Sequence, residues 1–341
     1  MRATIAAAAV VLIAAGCARP TGSAPDAAES DLPREALDFQ VEGWKTDFAK
    51  RTVPLSEFRS GGPPRDGIPP IDSPRFVPVA EVDYLRAQEP VIELIVHGQA
   101  RAYPIQILIW HEIVNDTVAG ASVAVTFCPL CNTALVFDRR VDERVLDFGT
   151  TGKLRHSDLV MYDRRTESWW QQFGGVGLVG DYAGARLERI PSRIVAWRDF
   201  ATQHPNALVL SRETGFERPY GSNPYQGYDD VDSPPFFAVP NEDDKRLAPK
   251  ERVVFIARGD DSVAVPYSTL ERKRVVRVAV GGERLVIRFR RGPVSPLDEA
   301  AVAEGREVGA AEVLRDGRLV EFDEPFWFVV AAFRPDVRVI R

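Results

Sequence analysis

From Val91 onward, apolar and polar positions alternate in short bursts divided by turn residues. VIELIV runs to a turn at Gly98 and RAYPI follows. Then come the apolar run ILIWHEIV around His111, a turn at Ala119-Gly120, and VAVTF ending at Phe127. Period-two alternation bounded by glycine reads as β-strand, so this whole stretch is predicted as strand, His111 included. Helical spacing is scarce; Val195 to Gln203 is a candidate helix, with Pro205 to stop it. Pro63 to Pro78 holds six prolines and predicts an extended strap crossing a domain. The expected fold is mainly β with a few short helices, in the α+β class.

Laid against itself, the chain shows a repeat. Residues 89–127 share a pattern with 251–289: Pro104 falls on Pro266, Leu108 on Leu270, Val114 on Val276, Gly120 on Gly282 and Phe127 on Phe289, each 162 positions later. Trp197, Pro205 and Val209 fall on Trp327, Pro335 and Val339, 130 positions later. The expectation is an internally duplicated β-rich domain whose second copy lacks about 32 residues between Phe127 and Trp197. On this reading 43–240 form the first copy and 241–341 a shortened second copy packed against it. His111, Cys128 and Cys131 align with Lys273, Arg290 and Pro293. The β framework does not need those three residues, which makes them candidates for function.

The N-terminus has its own logic. Arg2, the apolar run Ile5 to Ala15, and Gly16 before Cys17 form a signal peptide over 1–16. About eleven apolar residues are too few to span a bilayer as a helix. Cys17 is the expected lipidation site and 17–42 a lipidated, flexible tether. Ala18 is not Asp, so by resemblance to other lipoproteins the destination is the outer membrane, with the folded part facing the periplasm. The membrane, reached through the lipid, is the expected partner. Net charge is −6 with basic residues scattered, which gives no nucleic-acid face. Beyond Cys17 the chain has only Cys128 and Cys131, so it is no disulfide scaffold.

Those two cysteines stand in TFCPLCNTALVF, where a strand ends, Cys-Pro-Leu-Cys turns, and alternation resumes. Two thiolates three residues apart on a turn can chelate one soft ion, copper or zinc. They can equally be a redox dithiol or a structural pair. No second CxxC exists, so further ligands must come from elsewhere. His111 is the first candidate, although HEIVN lacks the second histidine of a zincin motif. His156 and Met161, in RHSDLVMYD, are the next; His97 and His204 read as surface residues. Glu112, Asp158 and Asp163 are expected to orient a ligand or accept a proton, and Trp169 and Trp170 to line the pocket. Tyr220, Tyr225 and Tyr228 lie in a candidate loop over it. GTTGK at 149–153 fails the spacing of a phosphate-binding loop.

Taken together, GWKTDFAKRTVPLSEFRSGGPPRDGIPPID, WHEIVNDTVAG, TFCPLCNTALVF, LVMYDRRTESWWQQ, VLSRETG and NPYQGYDD closely resemble a family of bacterial envelope proteins, the domain-of-unknown-function 3179 family. The resemblance runs from Gly43 to the C-terminus. His111, Glu112, Cys128, Pro129, Cys131, Met161, Asp163 and Trp170 occupy its motif positions; it implies membership and no activity. Relatives often carry Asn where this chain has His156, which shifts weight to His111. The expectation is a membrane-anchored envelope protein with one soft metal ion held by Cys128, Cys131 and His111, copper slightly ahead of zinc because of the envelope location and Met161. Its substrate and any enzymatic activity are left open. The alternatives are a non-catalytic binding or structural module, or a thiol-disulfide protein.

Overall fold

The computed structural model describes residue 39 and residues 41–341. The expected signal peptide, Cys17 and most of the expected tether therefore lie outside the described residues. Phe39 and Val41 are already buried, packed with Phe48, Phe58 and Trp169. The packed body thus begins before Gly43, ahead of the tether boundary expected from composition. Among the described residues no helix is long and apolar enough to cross a membrane.

The molecule is mostly β-strand with a few short helices, as expected, and its strands fall into five sheets of three to five strands plus a two-stranded ribbon. One sheet orders Phe58–Ser60, Phe148–Arg155, Asp158–Asp163, Trp169–Gln171 and Val176–Val179. A second joins Ser192–Ala196, Pro90–Val96, Gln99–Pro104, Leu208–Leu210 and Phe76–Pro78. The third is Ile113–Val118, Ala121–Cys128 and Thr133–Asp138. The fourth is Val253–Arg258, Asp261–Pro266 and Arg338–Val339, and the fifth Val275–Val280, Glu283–Arg290, Ala310–Arg315 and Arg318–Leu319. The main core draws on the first four; the inner face of the fifth packs with the fourth in a core of its own.

One expected strand is a helix. Ile105–His111 forms α1, with Pro104 as its N-cap and Glu112 as its C-cap at φ +58. Six of its seven residues are buried, so no polar face marks its period, and a short apolar run carries no signal to separate buried helix from buried strand. The later helix also differs at its start: Ser192–Ala196 is strand and α2 covers Trp197–Gln203.

The order strand, strand, helix, strand, strand recurs. Val253–Arg258, Asp261–Pro266, α3 (Tyr267–Lys273), Val275–Val280 and Glu283–Arg290 match the run from Pro90 to Cys128 nearly boundary for boundary. Both helices end on a left-handed residue, Glu112 at φ +58 and Arg274 at φ +60. The last helix, α4 (Trp327–Phe333), and Arg338–Val339 correspond to α2 and Leu208–Leu210. Even the parallel pairs agree: Leu208 with Arg101 in one run, Arg338 with Val263 in the other. The length difference is not a single gap of about 32 residues. The four-residue CxxC turn 129–132 is replaced by the long connection 291–309, while the strands from Phe148 to Val179 have no second counterpart.

The proline strap closes on this frame. Ile71 exchanges backbone hydrogen bonds with Ile113 and Asn115, both 2.9 Å. Gly152, at φ +70, lets it pass: a Cβ there would stand 2.0 Å from the Pro63 carbonyl oxygen. The glycines of GTTGK serve this close packing.

Candidate metal centre

Strand Ala121–Cys128 delivers Cys128 at its end, and Cys128 pairs across the turn with Thr133. Pro129 stiffens the turn, and Asn132, at φ +57, takes the left-handed position that asparagine tolerates. This folds Cys131 back until its sulfur lies 2.6 Å from that of Cys128, both cysteines being free. Distant segments clamp the turn. Tyr228 Oη donates to the Leu130 carbonyl (3.1 Å), Phe326 N to the Cys131 carbonyl (3.0 Å) and Asn132 Nδ2 to the Glu324 carbonyl (2.9 Å).

Asp158 comes from the hairpin between Phe148–Arg155 and Asp158–Asp163. Its two turn residues, His156 and Ser157, both have positive φ (+54 and +60), the backbone of a tight two-residue hairpin turn. Ser157 Oγ ties that turn to Phe237, donating to its carbonyl at 3.0 Å and accepting from its N–H at 2.9 Å. Asp158 Oδ1 then faces Cys131 Sγ at 2.8 Å. Its other oxygen accepts from Phe173 N at 2.9 Å and from Gln171 Nε2. One carboxylate oxygen is thus held by donors and the other is aimed at the sulfurs, as in a metal ligand oriented by its neighbours. One ligand atom from each of Cys128, Cys131 and Asp158 lies within 4.8 Å of the others, all three residues being buried.

The electrostatics all run one way. Burial pushes both thiols up, Cys131 the further because Cys128 and Asp158 crowd it. Burial raises Asp158 to about 6 against the hydrogen bonds that lower it. Glu112, buried beside Asp158, is raised to about 8, chiefly by burial and next by Asp158, and among the described residues its carboxyl has no hydrogen-bond partner. Four acidic groups are therefore buried together, and burial disfavours the charge of each, while the hydrogen bonds from the cysteines to Asp158 work the other way. Tyr225 and Tyr228 roof the space, their phenols pushed up chiefly by burial and next by the neighbouring acidic groups. Lys250 sits over the Tyr228 ring at 3.5 Å and donates to the Tyr228 carbonyl and to Ser233 Oγ. The roof belongs to 211–252, a long stretch without helix or strand, and such loops inside a compact body commonly carry function.

The other candidates lie elsewhere. His111 ends α1 and is not on a strand; its Nδ1 donates to the Pro69 carbonyl (2.7 Å) and its Nε2 accepts from Tyr220 Oη (2.6 Å). Burial lowers it to about 4, so it is neutral with both nitrogens engaged, and neither joins the cysteine cluster. His156 Nε2 lies 3.3 Å from Glu57 and its ring meets Phe333. Met161 is wholly buried in the main core, paired across strands with Thr150 and Trp170. Asp163 caps its own turn at Thr166 and accepts from Trp170 Nε1 (3.1 Å), and Trp169 anchors the aromatic cluster under Phe39. Asp158, expected to orient a ligand or accept a proton, is itself in the cluster. Gln171, which the sequence placed with Trp169, Trp170 and Gln172 as a pocket-lining candidate, does reach Asp158; sequence reasoning missed Ser157 and the 324–326 clamp, neither of which carries a local signal.

This buried Cys-Cys-Asp cluster could coordinate a metal ion. Neither a curated protein nor a solved structure matches the chain. Residues 65–337 do match one family throughout, and the chain belongs to it: DUF3179, proteins of unknown function.

Proposed function

We propose that Cys128, Cys131 and Asp158 hold one divalent ion, and that the ion is zinc. The observation carrying this reading is the convergence of two sulfurs and one oriented carboxylate oxygen within 4.8 Å in a buried space. Zinc accepts sulfur and carboxylate oxygen together, whereas Cu(I) favours soft donors only, so replacing an expected Met161 by Asp158 moves the choice from copper to zinc. Two thiolates and one carboxylate already exceed a 2+ ion by one charge. Glu112 therefore stays protonated beside the loaded site. A redox dithiol fits less well, because burial raises both thiols away from the reactive thiolate, while a bound ion deprotonates them outright.

The test is elemental analysis of protein exported to the periplasm and purified without a histidine tag. Stoichiometric zinc is expected in the wild type and none in C128S/C131S. The matching frame ends its fourth strand on Arg290 where Cys128 stands, so the variant should keep its circular dichroism spectrum. Metal-free wild type would refute the reading.

We further propose that the two matching runs are copies of one β unit, and that Cys17 carries a diacylglycerol anchoring the protein in the outer membrane. Cys17→Ser should move the protein from the membrane to the soluble fraction; a wild type already soluble, with its N-terminus beyond Cys17, would remove the anchor.

A further inference from the structure

In sequence the basic residues look scattered; the fifth sheet gathers some of them. Along Val275–Val280 and Glu283–Arg290, Val276, Val278, Val280, Leu285, Ile287 and Phe289 face a core, and the alternate positions face solvent. The register sets Val275 opposite Arg288, Arg277 opposite Val286 and Ala279 opposite Arg284, and Arg288 in turn lies opposite Glu312. Arg277, Arg284, Arg288 and Arg290 therefore share one outer face. Residues 271–292 carry eight Lys and Arg against Glu271 and Glu283, within a chain of net charge −6.

Little neutralises this face. The side chains of Arg277 and Arg284 have no ion pair or hydrogen bond among the described residues. Arg288 and Arg290 share Glu312 at 3.6 and 3.8 Å while more than half exposed, and Arg193 holds that same carboxylate at 2.5 Å. Glu283 is occupied by Arg258 and Arg315. Nor does the frame require the arginines. In the first run Asn115, Ser122, Thr126 and Cys128 stand at the same places, none of them basic.

We infer that this outer sheet face docks on an anionic phospholipid surface. Its arginines are interleaved with Val275, Ala279 and Val286, so it offers guanidinium groups to phosphates and small apolar side chains to the interface between them. The exposed positions lie on Val275–Val280 and Glu283–Arg290 alone, since Ala310, Glu312 and Leu314 on the third strand are buried. The face also has no aromatic side chain on which a base could stack.

Sedimentation of the C17S protein, which cannot carry the proposed lipid anchor, tests this with vesicles of phosphatidylcholine alone and of phosphatidylcholine containing roughly a third phosphatidylglycerol. Binding should need the anionic lipid and weaken steeply with salt. At about 1 kcal/mol per basic side chain near such a surface, R277Q/R284Q should weaken it on the order of 30-fold, and R277E/R284E further. Circular dichroism checks the fold, and the glutamine pair decides the matter if the glutamate pair fails to fold. Equal binding with and without the arginine substitutions, binding regardless of anionic lipid, or a preference for duplex DNA or poly-glutamate over the vesicles would overturn the proposal.

Discussion

Replacing Glu112 by Gln is expected to stabilise the metal-free protein by roughly 5 kcal/mol at about pH 9, and to change little near pH 4. Burial and Asp158 raise the folded-state value of Glu112 from 4.5 to about 8. Below the ordinary carboxylate value the group is protonated folded and unfolded alike, and ionisation costs the fold nothing. As pH rises past that value the unfolded chain ionises first, and stability drains at about 1.4 kcal/mol per pH unit until the folded group ionises too. Asp158, raised to about 6, adds a smaller loss of the same sign over a lower window. Glutamine cannot ionise, so E112Q should flatten the upper part of the profile. Urea denaturation of metal-free wild type and E112Q between pH 4 and about 9 measures it. Parallel profiles would mean that Glu112 is ionised or solvated in the fold. Because Glu112 is assigned a protonated role beside the ion, E112Q should also retain zinc.

The second large effect separates ligand from neighbour. Zinc at a thousandfold excess over its dissociation constant should stabilise wild type by about 4 kcal/mol, a rise of several degrees in melting temperature. Asp158→Asn should lose most of that rise. It keeps the side chain's size but removes the anionic oxygen beside Cys131, and the affinity loss should exceed the 10- to 100-fold typical of residues that merely orient a ligand. A full zinc shift in D158N with none in C128S/C131S would leave the sulfurs as ligands and return Asp158 to an orienting role.

The local code carried the strands well, because alternation and paired positive-φ turns such as Ala119-Gly120 are written into neighbouring residues. It failed at α1, where burial on nearly every side erased the period. At the site, Cys128 and Cys131 were legible because a turn brings sequence neighbours together. The third group was not, because Asp158 reaches the sulfurs only through a hairpin of another sheet. His111 misled for the complementary reason. It is the neighbour of Glu112, yet the helix end turns the imidazole toward Pro69 and Tyr220 while the next side chain lies beside Asp158.

The clamp on the CxxC turn also fixes when the site can close during synthesis. All three ligand residues have been made once Asp158 leaves the ribosome, but the Phe326 N–H and Glu324 carbonyl that grip Cys131 and Asn132 come much later. At about 5 to 20 residues per second that delay is roughly 10 to 30 s. A chain truncated before Glu324 would carry every ligand and lack the clasp, leaving both thiols open to oxidants and competing ions.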